Sequence, residues 1–405
     1  MTSAKPQARP AATPWGLVVL LGSLTAMAPL GIDMYLPSLP AIGEDLRATA
    51  AQTQGTVAAF LAGMAIGQFF YGPASDRFGR RAPLLLGIAI FAAASVWCAL
   101  ATSAEALLAA RFVQALGASG PIVLGRAIVR DIYGRDRAAR MLAYIGTAMA
   151  LAPMIGPILG GVVQGAFGWR WNFVILTTFG LFVLALAWPG LAESNTRRDP
   201  SALDPARMTA NFGTLLRHPG FVGFALAVAF SYAGLFAFIS GSSFVLIDAL
   251  GVPTEQFGFF FAMCVVGYMA GTQLAGRLTM RMGIARMIWL GGTISLVGGS
   301  AMVALAPLTA GATWAPFAVA VPMACYMIGT GIVMPNAQAG ALGPFAQMAG
   351  AASSLMGFLQ MAIAAAVGVT FGQIHDGTPL PMALLVAAAA CCSLASFAML
   401  ARPSS

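Results

Sequence analysis

Charge is what this chain has least of. Only 8% of its 405 residues are Asp, Glu, Lys or Arg, whereas 59% are hydrophobic. A soluble domain carries roughly 25% charged residues, so a surface facing water on all sides is excluded. Lysine is reduced to Lys5. A P-loop places a lysine on nucleotide phosphates, so the chain holds no such ATPase, and any uphill work must draw on an ion gradient or a separate ATPase partner. Histidine is limited to His218 and His375. With no H-E-x-x-H zinc helix and no G-x-S-x-G serine elbow, a membrane-embedded enzyme is disfavoured and no metal or cofactor site is expected. The cysteines Cys98, Cys264, Cys325, Cys391 and Cys392 fall inside apolar runs. Their spacing fits neither a disulfide framework nor a metal site, and they read as small buried hydrophobes.

What remains is a series of long uncharged runs. A helix needs about 20 apolar residues to cross a bilayer core, whereas barrel strands alternate over ~10 residues. The runs are continuous, and they predict twelve helical spans. These lie at approximately 15–36, 53–72, 83–101, 105–128, 141–164, 170–191, 221–246, 258–278, 286–307, 315–338, 351–373 and 380–400. Lys5, Arg9 and the small-residue site Ala26-Met27-Ala28 imitate a secretory signal. Pro29 follows directly and the run continues to Asp33, so this segment is read as an uncleaved first helix.

With a cytoplasmic N-terminus, 17 of the 21 basic residues fall in cytoplasmic segments. Arg47 and Arg170 fall outside, and Arg111 and Arg126 lie in the fourth span. The positive-inside rule predicts this asymmetry. It also accounts for the net charge of +8 without any nucleic acid. The expected domains are a cytoplasmic tail (1–14), a six-helix bundle (15–191), a cytoplasmic linker (192–219), a second six-helix bundle (220–400) and a short tail (401–405). A weak repeat supports the division. Gly72, Arg77 and Gly79 after the second span recur as Gly276, Arg281 and Gly283 after the eighth, at a constant offset, although the second copy lacks an equivalent of Asp76. Parallel six-helix repeats with substrate bound between them near the midplane are a known transporter plan.

Six stretches carry a family resemblance. Gly72–Arg81 reads G-P-A-S-D-R-F-G-R-R and resembles the cytoplasmic-loop motif of the major facilitator superfamily. Arg111–Gly120, R-F-V-Q-A-L-G-A-S-G, and Ala152–Gly161, A-P-M-I-G-P-I-L-G-G, are similar to the arginine and antiporter motifs of drug:proton antiporters. Leu30–Pro40, with Arg130–Tyr133 and Trp169–Phe173, resembles the Bcr/CflA branch. The resemblance implies an all-α, twelve-span exporter of the bacterial cytoplasmic membrane, with both termini cytoplasmic. It implies a monomer that exchanges protons for small amphipathic drugs such as bicyclomycin, chloramphenicol relatives or sulfonamides. The proton gradient would be its energy source.

Residue roles follow as expectations. Asp33 is the carboxylate most nearly inside a span, and an intramembrane ionisable residue is a functional candidate. It either couples protonation to conformation or fixes the Tyr35-Leu36-Pro37 turn. Arg111 should face the bundle interior and modulate Asp33, with Gln114 on the same helix face. Gly72, Asp76, Arg77, Gly79, Arg80 and Arg81, with Arg130 and Asp131, are expected to form a conformational lock, in which Gly72 and Gly79 permit a tight turn. Arg126 either joins them or snorkels to the interface. Pro153, Gly156, Pro157, Gly160 and Gly161 should make a kinked, closely packed gate helix. Tyr35, Gln114, Tyr144, Tyr232, Phe236, Phe238, Met334, Asn336 and Gln360 are the candidate substrate-cavity residues, alongside core packing or lipid contact. Export of a metabolite and a non-transporting receptor on the same fold stand as alternatives.

Overall fold

A computed structural model describes residues 14–195, 198–309 and 311–401. Within these, the side chains of residues 14, 15, 17, 18, 126, 130, 133–151, 205, 207, 346, 347 and 349 are not described. The predicted sites Arg126, Arg130 and Tyr144 therefore have side chains outside the described residues.

The described chain is helical throughout. In order come α1 (Pro14–Asp33), a 3₁₀ turn (Leu36–Ser38), α2 (Leu39–Asp45), α3 (Ala50–Phe78), α4 (Arg81–Ala99), α5 (Ala104–Phe167) and α6 (Arg170–Gly190). Then follow α7 (Pro205–Leu216), α8 (Pro219–Ser243), α9 (Thr254–Met282), α10 (Ile284–Leu305), α11 (Ala315–Leu342), α12 (Ala349–Ile374) and α13 (Leu380–Leu400). Among the described residues, eleven stretches are long and apolar enough to cross a membrane, and Ala152–Phe167 is a shorter apolar helix.

Helix α5 holds two of the predicted spans. A straight helix of its 64 residues would run about 96 Å. Yet Arg111 near its start and Gly160 near its end both meet the end of α1, at Gly31 and Met34 respectively. The residues at 104–129 and 152–167 are therefore two antiparallel arms.

Two features differ from the sequence expectation. Helix α3 continues to Phe78, so Gly72, Asp76 and Arg77 are helical and only Gly79 and Arg80 form the connection to α4. Gly72 thus makes no turn. Gly79 does, at φ +98°, where a residue with a Cβ is strained. The linker contains α7, capped by the Asp204 side chain on the Ala206 N–H. Its Leu215 is fully buried and its Phe212 packs 5.1 Å from Phe69 of α3.

The two halves reuse one crossing. A Cβ on Gly63 would strike the Phe112 carbonyl of α5, and one on Gly67 would strike Ser119. In the second half, Gly267 and Gly271 of α9 lie as closely on the carbonyls of Ala324 and Ile328 in α11. Such small-residue seams replace the hydrophobic drive that lipid does not supply.

The halves also meet each other tightly on the face opposite the linker. Gly161 of α5 lies against the Thr254 carbonyl, and Gly258 of α9 against the Ile158 backbone. Gly372 of α12 lies against Ala51 and Gln54 of α3. That face is closed in this structure.

Candidate functional site

Asp33 is the last residue of α1, 3% exposed, where the helix gives way to the 3₁₀ turn. The predicted turn is present, and its Tyr35 is fixed from elsewhere: the Tyr35 hydroxyl pairs with Thr56 Oγ1 at 3.1 Å. The carboxylate of Asp33 makes no hydrogen bond among the described residues. A Cβ placed on Gly156 would stand 3.0 Å from the Asp33 Cβ, so glycine at 156 lets the antiporter-motif arm close over it. Gly160 similarly seats against the Met34 carbonyl. From the other half, Tyr232 of α8 lies within electrostatic reach of Asp33. The carboxylate is thus enclosed where the two bundles meet.

Arg111 is fully buried, as the sequence predicts, but it does not pair with Asp33. Its Nη1 donates to the Gly31 carbonyl at 2.8 Å and to Gln114 Oε1 at 2.5 Å. The guanidinium is sandwiched between the rings of Tyr35 (4.1 Å) and Phe60 (4.2 Å). Its Nε and Nη2 have no hydrogen-bond partner. Two aromatic faces stabilise a desolvated cation by roughly 2 kcal/mol or more each, which explains how a charge survives here without a counter-ion. Gln114 passes the network on, donating to Ser95 Oγ at 2.7 Å. The arginine is held by the Gly31 carbonyl, the Gln114 amide and two rings, not by Asp33.

Some of the residues expected to form a lock around Gly72–Arg81 meet on the linker face. Arg80 Nη1 meets Asp76 Oδ1 at 2.6 Å and Ser75 Oγ at 2.5 Å, while its Nε reaches Asp131 Oδ2 at 3.1 Å. Arg81 Nη2 donates to the Trp188 carbonyl. Arg77 lies over its neighbour Phe78, outside the ionic cluster.

One participant was not singled out from sequence. Glu193 accepts from the backbone N–H groups of Arg80 (2.8 Å), Arg81 (3.2 Å) and Asn195 (2.8 Å), capping α4. Burial pushes its carboxyl up. The three N–H donors and nearby Arg198 outweigh this and hold it below the usual carboxylate range. Asn195 and the Asp199 N–H tie the start of the linker to the Asp76 carbonyl. The available signal was an acidic residue just past a span, on the same face as three arginines.

The candidate cavity residues divide. Gln114 belongs to the Arg111 network, and Phe236 and Phe238 are buried in packing, the latter stacked on Phe261. Asn336 Oδ1 accepts from Thr279 Oγ1. Met334 is nearly buried and Gln360 half-buried. Tyr232, stacked on Phe236, is the member within electrostatic reach of Asp33. On the closed face, the motif stretch Trp169–Phe173 has a positional role: Trp169 and Arg170 both donate to Asp45, and Asn172 donates to Ser38.

Comparison with known proteins decides the family. The Major Facilitator Superfamily model matches residues 21–369. The chain belongs to the major facilitator superfamily. It is a multi-pass membrane protein on a transporter fold. A bicyclomycin resistance protein homolog of Haemophilus influenzae is 33% identical over 381 residues, covering 94% of each chain. The multidrug resistance protein MdtL of Escherichia coli is 30% identical over 354 residues, covering 86% of this chain and 88% of that one. In fold alone, the crystal structure of the D-xylose-proton symporter superposes with a TM-score of 0.73 at 15% identity, covering 95% of this superfamily member and 98% of the symporter.

Proposed function

We propose that this transporter exports small amphipathic drugs in exchange for protons, by alternating access. The observation that carries this reading is the position of Asp33: a buried carboxylate, without a hydrogen-bond partner among the described residues, packed under the antiporter-motif arm at Gly156 and within electrostatic reach of Tyr232 of the other half. An ionised carboxylate is expensive in such a place. Enclosing it and hydrating it are therefore states of different proton affinity, and parting the halves exchanges one for the other. The names of the relatives support a drug as cargo. Their printed activities, bicyclomycin and multidrug resistance, come to this chain as part of the proposal.

In this reading the linker face is cytoplasmic, because the arginine-rich segments lie there, and both termini are cytoplasmic. The chain acts as a monomer in a bacterial inner membrane. It needs no cofactor beyond the proton gradient. Asp33 carries the proton. Arg111 fixes the end of α1 through Gly31, and the Arg80 cluster holds the linker face until the bundles rock.

The test is drug-triggered proton movement in proteoliposomes, across a panel of amphipathic antibiotics. The intact protein should respond, and Asp33→Asn should still bind drug but move no protons. Full proton-coupled export by Asp33→Asn would sink the coupling role. Silence of the correctly inserted intact protein would shift the cargo to metabolites outside the panel.

A further inference from the structure

Gln54 and Ser240 form the one fully buried pair of polar side chains among the described residues that bonds reciprocally across the two halves. Gln54 sits in the second turn of α3, and Ser240 in the last turn of α8; both are 0% exposed. The Gln54 Nε2 amide donates to the Ser240 backbone carbonyl, and Ser240 Oγ donates back to Gln54 Oε1 at 2.7 Å.

The backbone is prepared for this contact. In a regular α-helix the Phe244 N–H would close on the Ser240 carbonyl. Here it closes on Gly241 instead, an i→i−3 bond, just where α8 passes into a π-helical segment, Phe244–Ala249. The Phe244 N–H is therefore not spent on the Ser240 carbonyl, which accepts from the other half where α8 passes into the π-helical segment, a feature frequent at functional positions. Glycines make room for it. A Cβ on Gly372 would stand 3.0 Å from the Gln54 Cβ, and one on Gly368 would stand 3.3 Å from Ser240 Oγ.

We propose that the Gln54–Ser240 pair is the latch of the face opposite the linker: two hydrogen bonds that must part whenever that face opens, and that set how often it does. The proposal rests on the alternating-access reading but not on the cargo or the coupling ion. Parting the halves breaks both bonds and hydrates a side-chain amide and a carbonyl that are dry here. In the closed state they satisfy each other, which is what burial of polar groups requires. Removing the amide takes the acceptor from the buried Ser240 hydroxyl and a donor from the Ser240 carbonyl in the closed state alone, so the closed state bears the penalty.

The measurement is the distance distribution between spin labels at Glu105 and Thr313. Both are exposed, in opposite halves, on the latched face. The full chain is held in lipid nanodiscs, with its native cysteines replaced and no drug or gradient. Gln54→Leu keeps the side-chain bulk and loses the hydrogen bonds. It should raise the longer-distance, open population about tenfold. Ser240→Ala removes one of the two bonds and should give a smaller rise. The double variant should add little to Gln54→Leu, because the two residues act as a pair.

An unchanged distribution in Gln54→Leu, or strictly additive effects of the two substitutions, overturns the latch. If Gln54→Leu does not fold, Ser240→Ala alone decides, since an unshifted distribution there also overturns it. Failure of the antiport reading would leave these distances untouched, because they are read without cargo or protons.

Discussion

In the first half, Gly63 and Gly67 of α3 press on α5 at Phe112 and Ser119. In the second half, Gly267 and Gly271 of α9 press on α11 at Ala324 and Ile328. Aligning the Phe112 carbonyl with that of Ala324 places Arg111 on Met323 and Gln114 on Tyr326. All four are fully buried. The same scaffold therefore holds a charged network in one half and a neutral one in the other. There, Tyr326 donates to the Ser231 carbonyl and Ser295 donates to the Tyr326 carbonyl. Among the described residues, every buried charged side chain (Asp33, Arg80 and Arg111) lies in the first half. The seams determine the architecture, and the positions beside them are free to carry chemistry. Only one half has used that freedom for charge.

The largest effect should come from exchanging the unlike positions. Arg111→Lys keeps the charge but loses the flat guanidinium that lies on the rings of Tyr35 and Phe60. Gradient-driven drug transport should fall roughly 100-fold, whereas Met323→Leu should leave it within about twofold. Transport assays on both variants check this, and equal losses would break the comparison.

Next come the like positions, which should respond alike. Gly67→Val and Gly271→Val each force a side chain into a neighbouring helix and should each destabilise the fold by about 1–3 kcal/mol. Thermal unfolding in detergent reads this directly. A variant that melts only one half would show that the seams are not equivalent.

The smallest contrast concerns the two linker-face loops. Arg80 holds two carboxylates, Asp76 and Asp131. Arg277, near the end of α9 on the same face, has no ion pair among the described residues. Arg80→Gln should slow transport about tenfold, and Arg277→Gln should scarcely change it.

Glu193 sharpens the same contrast through pH. Its carboxyl is held below the ordinary value of 4.5. Its contribution to the lock is therefore complete above that value and fades only as pH falls through the lowered one. The Arg80 effect should accordingly stay constant between about pH 5 and 8, and a strong pH dependence within that window would point to another titrating group.

Much of this was legible in the sequence because its causes are local. Uncharged runs long enough to cross a bilayer give the spans, and 17 of 21 basic residues in alternate loops give an orientation to test. Gly72–Arg81 and Arg111–Gly120 identify the family because each motif is contiguous. Boundaries were less legible. Gly72 reads as a turn residue beside Pro73, yet packing carries α3 on to Phe78, and only Gly79 takes the positive φ. The linker reads as a polar tether, although Phe212 and Leu215 at a spacing of three give α7 one apolar side.

The sequence by itself determined that this protein crosses the membrane many times, in two related halves, with charge confined to few places. Those properties depend on composition and on neighbours along the chain, and lipid tolerates few alternatives. Tertiary structure alone decided the partners of the charges. By sequence Arg111 is a candidate to modulate Asp33, yet it bonds to Gly31 and Gln114 and stacks on two rings. Glu193 reaches Arg80 from 113 residues away, and Gln54 finds Ser240 across 186. Such pairs depend on how helices rotate and how closely glycines let them approach, and no pattern of neighbours along the chain encodes that.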